Sequence, residues 1–231
     1  YKESSKIINI LTKEEGLIGV FARGCKRIRS PISSTTSILT YGFFYLNSRP
    51  KGLPILTEVD VIDSFKNIKK DLVKLNYSIY LLELSHQVYK HENNNNIYKL
   101  LISSIKKINE EYDSGIITAI LELKLLEYLG IKPIIDKCVN CNSTNDIVTI
   151  SSYKGGYLCK NCVGNETIFN VKTLKLIRMF YYVDIDKITK LEISPNIKKE
   201  LNLFINEYYD RYAGLYLKSK SYLEEFSSLK E

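Results

Sequence analysis

Histidine is nearly absent from the 231 residues: only His86 and His91 occur, both toward the polar end of one predicted helix. Placed there they read as surface groups, not as metal ligands or catalytic bases. There is no Walker A loop, no G-x-G-x-x-G, no G-x-S-x-G and no H-E-x-x-H. The enzyme classes that depend on those motifs are excluded. No apolar run reaches the roughly 18 residues of a membrane span, and no segment resembles a signal peptide. The chain opens on Tyr1 rather than Met, so further sequence is expected before it. With 45% hydrophobic and 26% charged residues, what remains has the balance of an ordinary globular protein.

Cysteine is also scarce, and its distribution is informative. Four of the five cysteines form two C-x-x-C pairs, Cys138-Val139-Asn140-Cys141 and Cys159-Lys160-Asn161-Cys162. The stretch between the pairs is long enough for a small hairpin, and the spacing falls in the four-cysteine zinc pattern. Four thiolates close a tetrahedron around Zn²⁺ and leave no position for water, so the site reads as structural. Two disulfides are the alternative; they suit a shorter secreted chain better than this one. Reduced metal-binding thiols favour the cytoplasm. The fifth cysteine, Cys25, has no histidine near it and is not read as a nucleophile.

Acidic residues are missing altogether from Gly16 to Thr57. The same stretch carries Arg23, Lys26, Arg27, Arg29, Arg49 and Lys51, within a net charge of +7. These six are the candidate nucleic-acid contacts, because clustered cations bind phosphates without regard to sequence. Strands are predicted at 5–12, 17–23, 37–48 and 53–62, joined by Gly- and Pro-containing turns. Short strands with no helix between them suggest a small antiparallel barrel. A strand before Tyr1 would complete the five of an OB-fold. Tyr41, Phe43 and Tyr45 share one face of the third strand and are candidate stacking platforms; packing into the barrel is the other reading. Asp60 and Asp63 are read as caps for the helix that follows, too few for a metal-dependent nuclease.

From Ser64 the apolar period becomes helical. Ser64 is the expected N-cap of a helix running to about Lys90, followed by helices at 97–110, 116–129, 171–183 and, from Ser194-Pro195, to 212 and on toward Phe226. The division is a sheet domain at 1–63 and a helical domain at 64–231 with the metal-binding insertion at 138–162. Lys69, Lys70 and Lys74 are assigned to a helical face that should contribute less to nucleic-acid binding.

The assembled chain resembles the family of bacterial RecO recombination mediators. The most specific stretch is Glu122-Leu123-Lys124-Leu125-Leu126-Glu127-Tyr128-Leu129-Gly130-Ile131-Lys132-Pro133 running into the first cysteine pair. Gly155-Gly156-Tyr157-Leu158-Cys159 matches the second. Tyr1-Lys2-Glu3-Ser4-Ser5, Ala22-Arg23-Gly24-Cys25-Lys26-Arg27-Ile28-Arg29-Ser30, Glu83-Leu84 and Leu217-Lys218-Ser219-Lys220-Ser221-Tyr222-Leu223 add weaker matches. The resemblance implies an α+β protein, an OB-fold followed by helices with an inserted zinc ribbon. It implies no catalytic residues and a role in DNA repair and recombination. Members bind single- and double-stranded DNA and anneal complementary strands. They work with RecR and with the C-terminal tail of single-stranded-DNA-binding protein, and indirectly with RecA in the RecFOR pathway. Such a protein is cytoplasmic and nucleoid-associated. The competing reading is a zinc-ribbon adaptor for RNA or transcription.

Overall fold

A computed structural model describes residues 3–228 of the chain; Tyr1 and Lys2, which open the family resemblance, lie outside them. Four strands come first: β1 (Lys6–Leu11), β2 (Leu17–Ala22), β3 (Tyr41–Asn47) and β4 (Ile55–Asp63). They lie in the order β1-β2-β4-β3. The β1–β2 hairpin is antiparallel in unbroken register, from Lys6 opposite Ala22 to Leu11 opposite Leu17. The sheet is not wholly antiparallel as expected. β2 meets β4 in parallel at Phe21 and Ile55, because the β3–β4 hairpin returns with its second strand beside β2. Ile10, Val20, Ala22, Ile32 and Leu56 form a small core with Cys25, and Phe44, Leu46 and Val59 pack against it. The third strand is shorter than predicted. Residues 30–40 are spent in successive turns, such as Ser33 N to Ser30 O and Thr36 N to Ile32 O.

The helical part holds α1 (Lys66–Lys69), α2 (Leu72–His91), α3 (Asn95–Asn109) and α4 (Ser114–Tyr128). After the cysteine insertion come α5 (Val171–Tyr182), α6 (Pro195–Tyr212) and α7 (Lys218–Ser228). The single helix expected from Ser64 is two. Asp71 interrupts it, with extended backbone and a carboxylate that accepts from the Val73 and Lys74 amides. An Asp aligned to cap a new helix outcompetes continuation. Ser64 caps nothing; Asp63 instead accepts from Phe65 N at 2.6 Å. The last predicted helix also divides, with 213–217 between α6 and α7. Among the described residues no helix is long and apolar enough to cross a membrane.

The sheet is bolted to the helices. Leu39 is buried in the helical core, and Leu11, Leu17 and Tyr41 pack against it. Tyr41 stacks on Phe65 with ring centroids 6.3 Å apart. Gly16 sits at the joint with φ +70°, and a Cβ there would fall 1.6 Å from the Tyr89 hydroxyl oxygen. Only glycine accepts both that conformation and that contact.

Helix α4 is the centre of the helical core, with ten buried residues. One of them is charged in principle: Glu122 accepts a hydrogen bond of 2.5 Å from the Tyr80 hydroxyl. Burial pushes its carboxyl up to about 7, against the pull of the Tyr80 hydrogen bond and of Lys220. The sign follows. Below about 4.5 the group is protonated folded or unfolded, and its contribution is complete. As pH rises toward 7 the unfolded chain gives up the proton and the folded chain keeps it, so stability falls. The loss amounts to roughly 3 kcal/mol above pH 7. Glu122→Gln should therefore remove a component of the pH dependence. Urea unfolding at pH 5 and pH 8 should show a drop in the parent chain that the variant lacks; an equal drop in both would contradict the assignment.

Candidate nucleic-acid interface and metal centre

The insertion after α4 is a two-stranded ribbon, β5 (Ile147–Ser151) and β6 (Gly156–Cys159). Each cysteine pair forms a knuckle closed by backbone bonds: Asn142 N to Cys138 O at 3.0 Å, and Cys162 N to Cys159 O at 2.9 Å. Gly156 lies against residue 134, and a Cβ there would stand 2.2 Å from the Ile134 carbonyl oxygen. That close approach lets Val139 N reach Tyr157 O at 2.9 Å and holds the first knuckle over the ribbon. The Tyr157 hydroxyl donates to Leu174 O on α5, and Ser152 Oγ donates to Glu207 on α6. The ribbon thus ties two helices of the core.

All five cysteines are free thiols, so the disulfide alternative is not realised. The sulfurs of Cys138, Cys141, Cys159 and Cys162 lie within 4.8 Å of one another, with Cys141 and Cys159 at 3.6 Å. A tetrahedron with bonds of 2.3 Å has edges of about 3.8 Å, so this cluster fits a metal ion. The thiols also interact as such a cluster should. Cys138 is buried, which raises its thiol, yet the amides of Cys159, Cys141 and Asn140 outweigh that and hold it at about 6. Cys162 is pushed up to about 12, first by its hydrogen bond with Cys141. A divalent cation would remove the repulsion that keeps protons on the outer sulfurs. All four donors are sulfur, so the centre would be closed to water.

The basic candidates are all on the surface. Arg23, Lys26, Arg27 and Arg29 follow β2, and Arg49 and Lys51 lie in the β3–β4 connection; all six are exposed and none forms an ion pair among the described residues. Leu53 packs beside Gly19, so that connection runs alongside β2. At about 3.3 Å per residue, the two basic groups stand roughly 13 Å or more apart along β2. Cys25, amid the cluster in sequence, points inward and is only 2% exposed.

The aromatic face is divided. Phe43 and Tyr45 are exposed, at 63% and 47%, so they are not barrel core. Tyr41 leaves their row at a register shift and packs on the helices. Opposite Phe43 stands Asp60, and opposite Tyr45 stands Glu58. The Tyr45 hydroxyl donates to Asp60 at 2.9 Å. Two carboxylates beside the rings repel phosphate, so the aromatics and the basic cluster do not form one groove. Lys6, which the sequence did not single out, and Lys69, assigned from it to a helical face, meet the same turns. Lys6 Nζ donates to Thr36 O at 2.6 Å, and Lys69 Nζ donates to Ser37 Oγ at 3.4 Å. Both reach the turns after the basic cluster from across the fold.

Two weak motifs meet in space. Glu83 on α2 accepts from the amides of Lys218 and Ser219, at 3.1 and 2.8 Å, and from the Ser219 hydroxyl. Burial pushes the Glu83 carboxyl up, but those hydrogen bonds outweigh it and hold it below its ordinary value. A carboxylate at the first turn of α7 satisfies amides that no helical bond can reach.

A small sheet with an acid-free basic margin is thus bolted to a helical body that carries a four-cysteine cluster able to hold a metal ion. Residues 1–65 match the family model described as Recombination protein O N terminal, and residues 69–221 the one described as Recombination protein O C terminal. The chain belongs to the RecO family. It is similar to the DNA repair protein RecO of Halalkalibacterium halodurans, 35% identical over 233 residues that cover 99% of this chain and 91% of the relative. It is also similar to the DNA repair protein RecO of Listeria monocytogenes, 35% identical, with 97% and 89% covered. The DNA repair protein RecO of Bacillus subtilis is 33% identical, with 100% and 91% covered. With these matches, the sheet and helices fit an OB-fold followed by a helical part.

The thiolate cluster generates a direct test. Purified chain should carry about one metal ion, since such sites fold around their ion at an apparent ~10–16 kcal/mol. Cys141→Ser, which alters an exposed ligand, should release it and lower the thermal stability of the helical part. Elemental analysis showing no metal on reduced wild-type chain would contradict this.

Proposed function

We propose that this chain is a recombination mediator that holds DNA by its phosphates and anneals complementary strands without chemical turnover. The observation that carries the reading is the stretch from Gly16 to Thr57 on a chain of the RecO family. It has six exposed cations, none in an ion pair among the described residues, and no acid. Contacts to phosphates leave base edges free to pair, which annealing requires. They are also individually weak and salt-sensitive, so strands can be tested and released. Arg23, Lys26, Arg27, Arg29, Arg49 and Lys51 are the proposed contacts on single- and double-stranded DNA.

The metal is zinc, structural and one per chain, held by Cys138, Cys141, Cys159 and Cys162; four sulfur donors suit zinc. The proposed protein partners are RecR and the acidic, aromatic-ended tail of single-stranded-DNA-binding protein, with RecA loading as the consequence. A hollow lined by Lys175, Arg178, Met179, Tyr182 and Val183 would suit such a tail in the helical part, since apolar and cationic side chains line it together, Arg178 being paired there with Asp136. The site of action is the bacterial cytoplasm.

Reversing charge at Arg23, Lys26 and Arg27 together should weaken binding of all sequences alike and slow annealing. If about four cations engage, log K against log salt should have a slope near −3 in the parent chain, from about −0.7 per phosphate on single strands. The slope should flatten in the variant. Sequence-dependent losses, or binding that ignores salt, would contradict the proposal.

A further inference from the structure

The six candidate contacts leave open where a bound strand goes next. Both ways off the cluster can be followed residue by residue. Toward β3 the outer face carries Glu58 and Asp60 beside Phe43 and Tyr45, so phosphates meet repulsion. In the other direction a series of polar contacts leads onto the helices. Gly24 N donates to Ser5 Oγ at 3.0 Å, and Lys26 N donates to Ser4 O at 3.0 Å. The next residue, Lys6, reaches Thr36 O, and beside it Ser37 Oγ accepts from Lys69 Nζ on α1. Along this line Ser33, Ser34 and Ser37 are exposed hydroxyls, the donor type that contacts phosphate oxygens. At its end stand Lys66, Lys69 and Lys70, all exposed, and none of them in an ion pair among the described residues.

The acids nearest the end of this line have other partners. Asp63 accepts from Phe65 N, and Asp71 caps α2 through the Val73 and Lys74 amides. Burial lowers the Lys69 ammonium, which Asp63 partly offsets. A phosphate in place of water would restore the charged form's advantage. Lys74, one turn further, is engaged with Glu111 and Asp71 and ends the free row.

From this we infer that α1 is a second phosphate-binding element: a single strand held at Arg23–Arg29 continues over the serine turns of residues 30–37 to Lys69 and Lys70. The inference rests on the DNA-binding reading above and extends its site. It reverses the expectation that Lys69 and Lys70 belong to a remote helical face. One small β-barrel covers roughly 4–16 nucleotides of single strand, so a footprint that includes α1 should be longer than the sheet alone provides.

Fluorescein-labelled oligothymidines of about 10 and about 30 nucleotides distinguish the two footprints. Lys69→Glu with Lys70→Glu should weaken the longer strand about tenfold and reduce its salt slope by about 1.4, two contacts at about 0.7 each. The shorter strand should be affected by less than about twofold, since it is satisfied by the cluster. The control with the same charge change, the α5 variant, is Lys172→Glu on α5 with Lys187→Glu just beyond it, both exposed and outside the hollow lined by Lys175 and Arg178, and it should move neither. Lys69→Ala with Lys70→Ala, milder toward folding, should give the same pattern at reduced size. Equal losses in the α1 and α5 variants would show a net-charge effect and overturn the inference. An α1 variant that binds the longer strand as the parent does, while the Arg23, Lys26 and Arg27 reversal still weakens it, would overturn the inference and leave the proposed function standing. If that triple reversal changes nothing, the proposed function itself fails and α1 falls with it.

Discussion

The structure depends on the burial of α4. Ile116, Ile117, Ile120, Leu121, Leu123, Leu125 and Leu126 are enclosed on every side, and α2, α3, α5 and α6 pack around them. A helix apolar over most of its circumference has no solvent face to present, so it can exist only with neighbours all round. That requirement sets the positions of the other helices. It also accounts for the ribbon, which leaves the end of α4 and returns to α5 and α6 through Tyr157 and Ser152. Residues 130–146 contain little regular structure, and an ion held by the four-cysteine cluster would fix that connection.

A second constraint is the separation of charge. The sheet core is small and purely apolar, and every cation of the acid-free stretch is turned outward. Among the described residues none of these groups forms an ion pair, so a polyanion would relieve their mutual repulsion. The joint to the helices keeps this face rigid. Gly16 under Tyr89, Tyr41 on Phe65 and Leu39 in the helical core fix the sheet against α1 and α2. That joint is what would allow the cations after β2, on β1 and on α1 to present one surface. Glu58 and Asp60 on β4, opposite Tyr45 and Phe43, give the surface an edge.

Local features were readable from the chain because their physics is local. The cysteine knuckles need only two intervening residues, and the Ser194-Pro195 helix start needs only a stop in the preceding chain. The helical period from Leu72 onward and the stop of α4 at Gly130 are of the same kind, whereas its start at Ser114 under an Asp113 cap was not read. What could not be read depends on partners distant in sequence. Asp71 displaced Ser64 because a cap is chosen by which carboxylate can reach free amides, not by which comes first. The parallel meeting of Phe21 and Ile55 follows from how a hairpin returns after the turns of residues 30–40. The acids opposite Phe43 and Tyr45 follow from a register shift between Tyr45 and Leu46, which no alternation pattern reveals. Lys6 and Lys69 reach the serine turns across 30 and 32 residues, and Glu83 finds Ser219 across 136. Each involves an ordinary polar group that is unremarkable until the fold brings it to its partner.

In the proposed function this surface brings strands together by their backbones while leaving their bases available. The most direct measurement is the rate at which two complementary labelled strands pair, bare or coated with single-stranded-DNA-binding protein, with and without the chain and with no nucleotide added. The account requires faster pairing in both states, to a similar degree for unrelated sequences, with the gain disappearing as salt is raised. Strands that are bound but pair no faster, or a gain that persists at high salt, would contradict it.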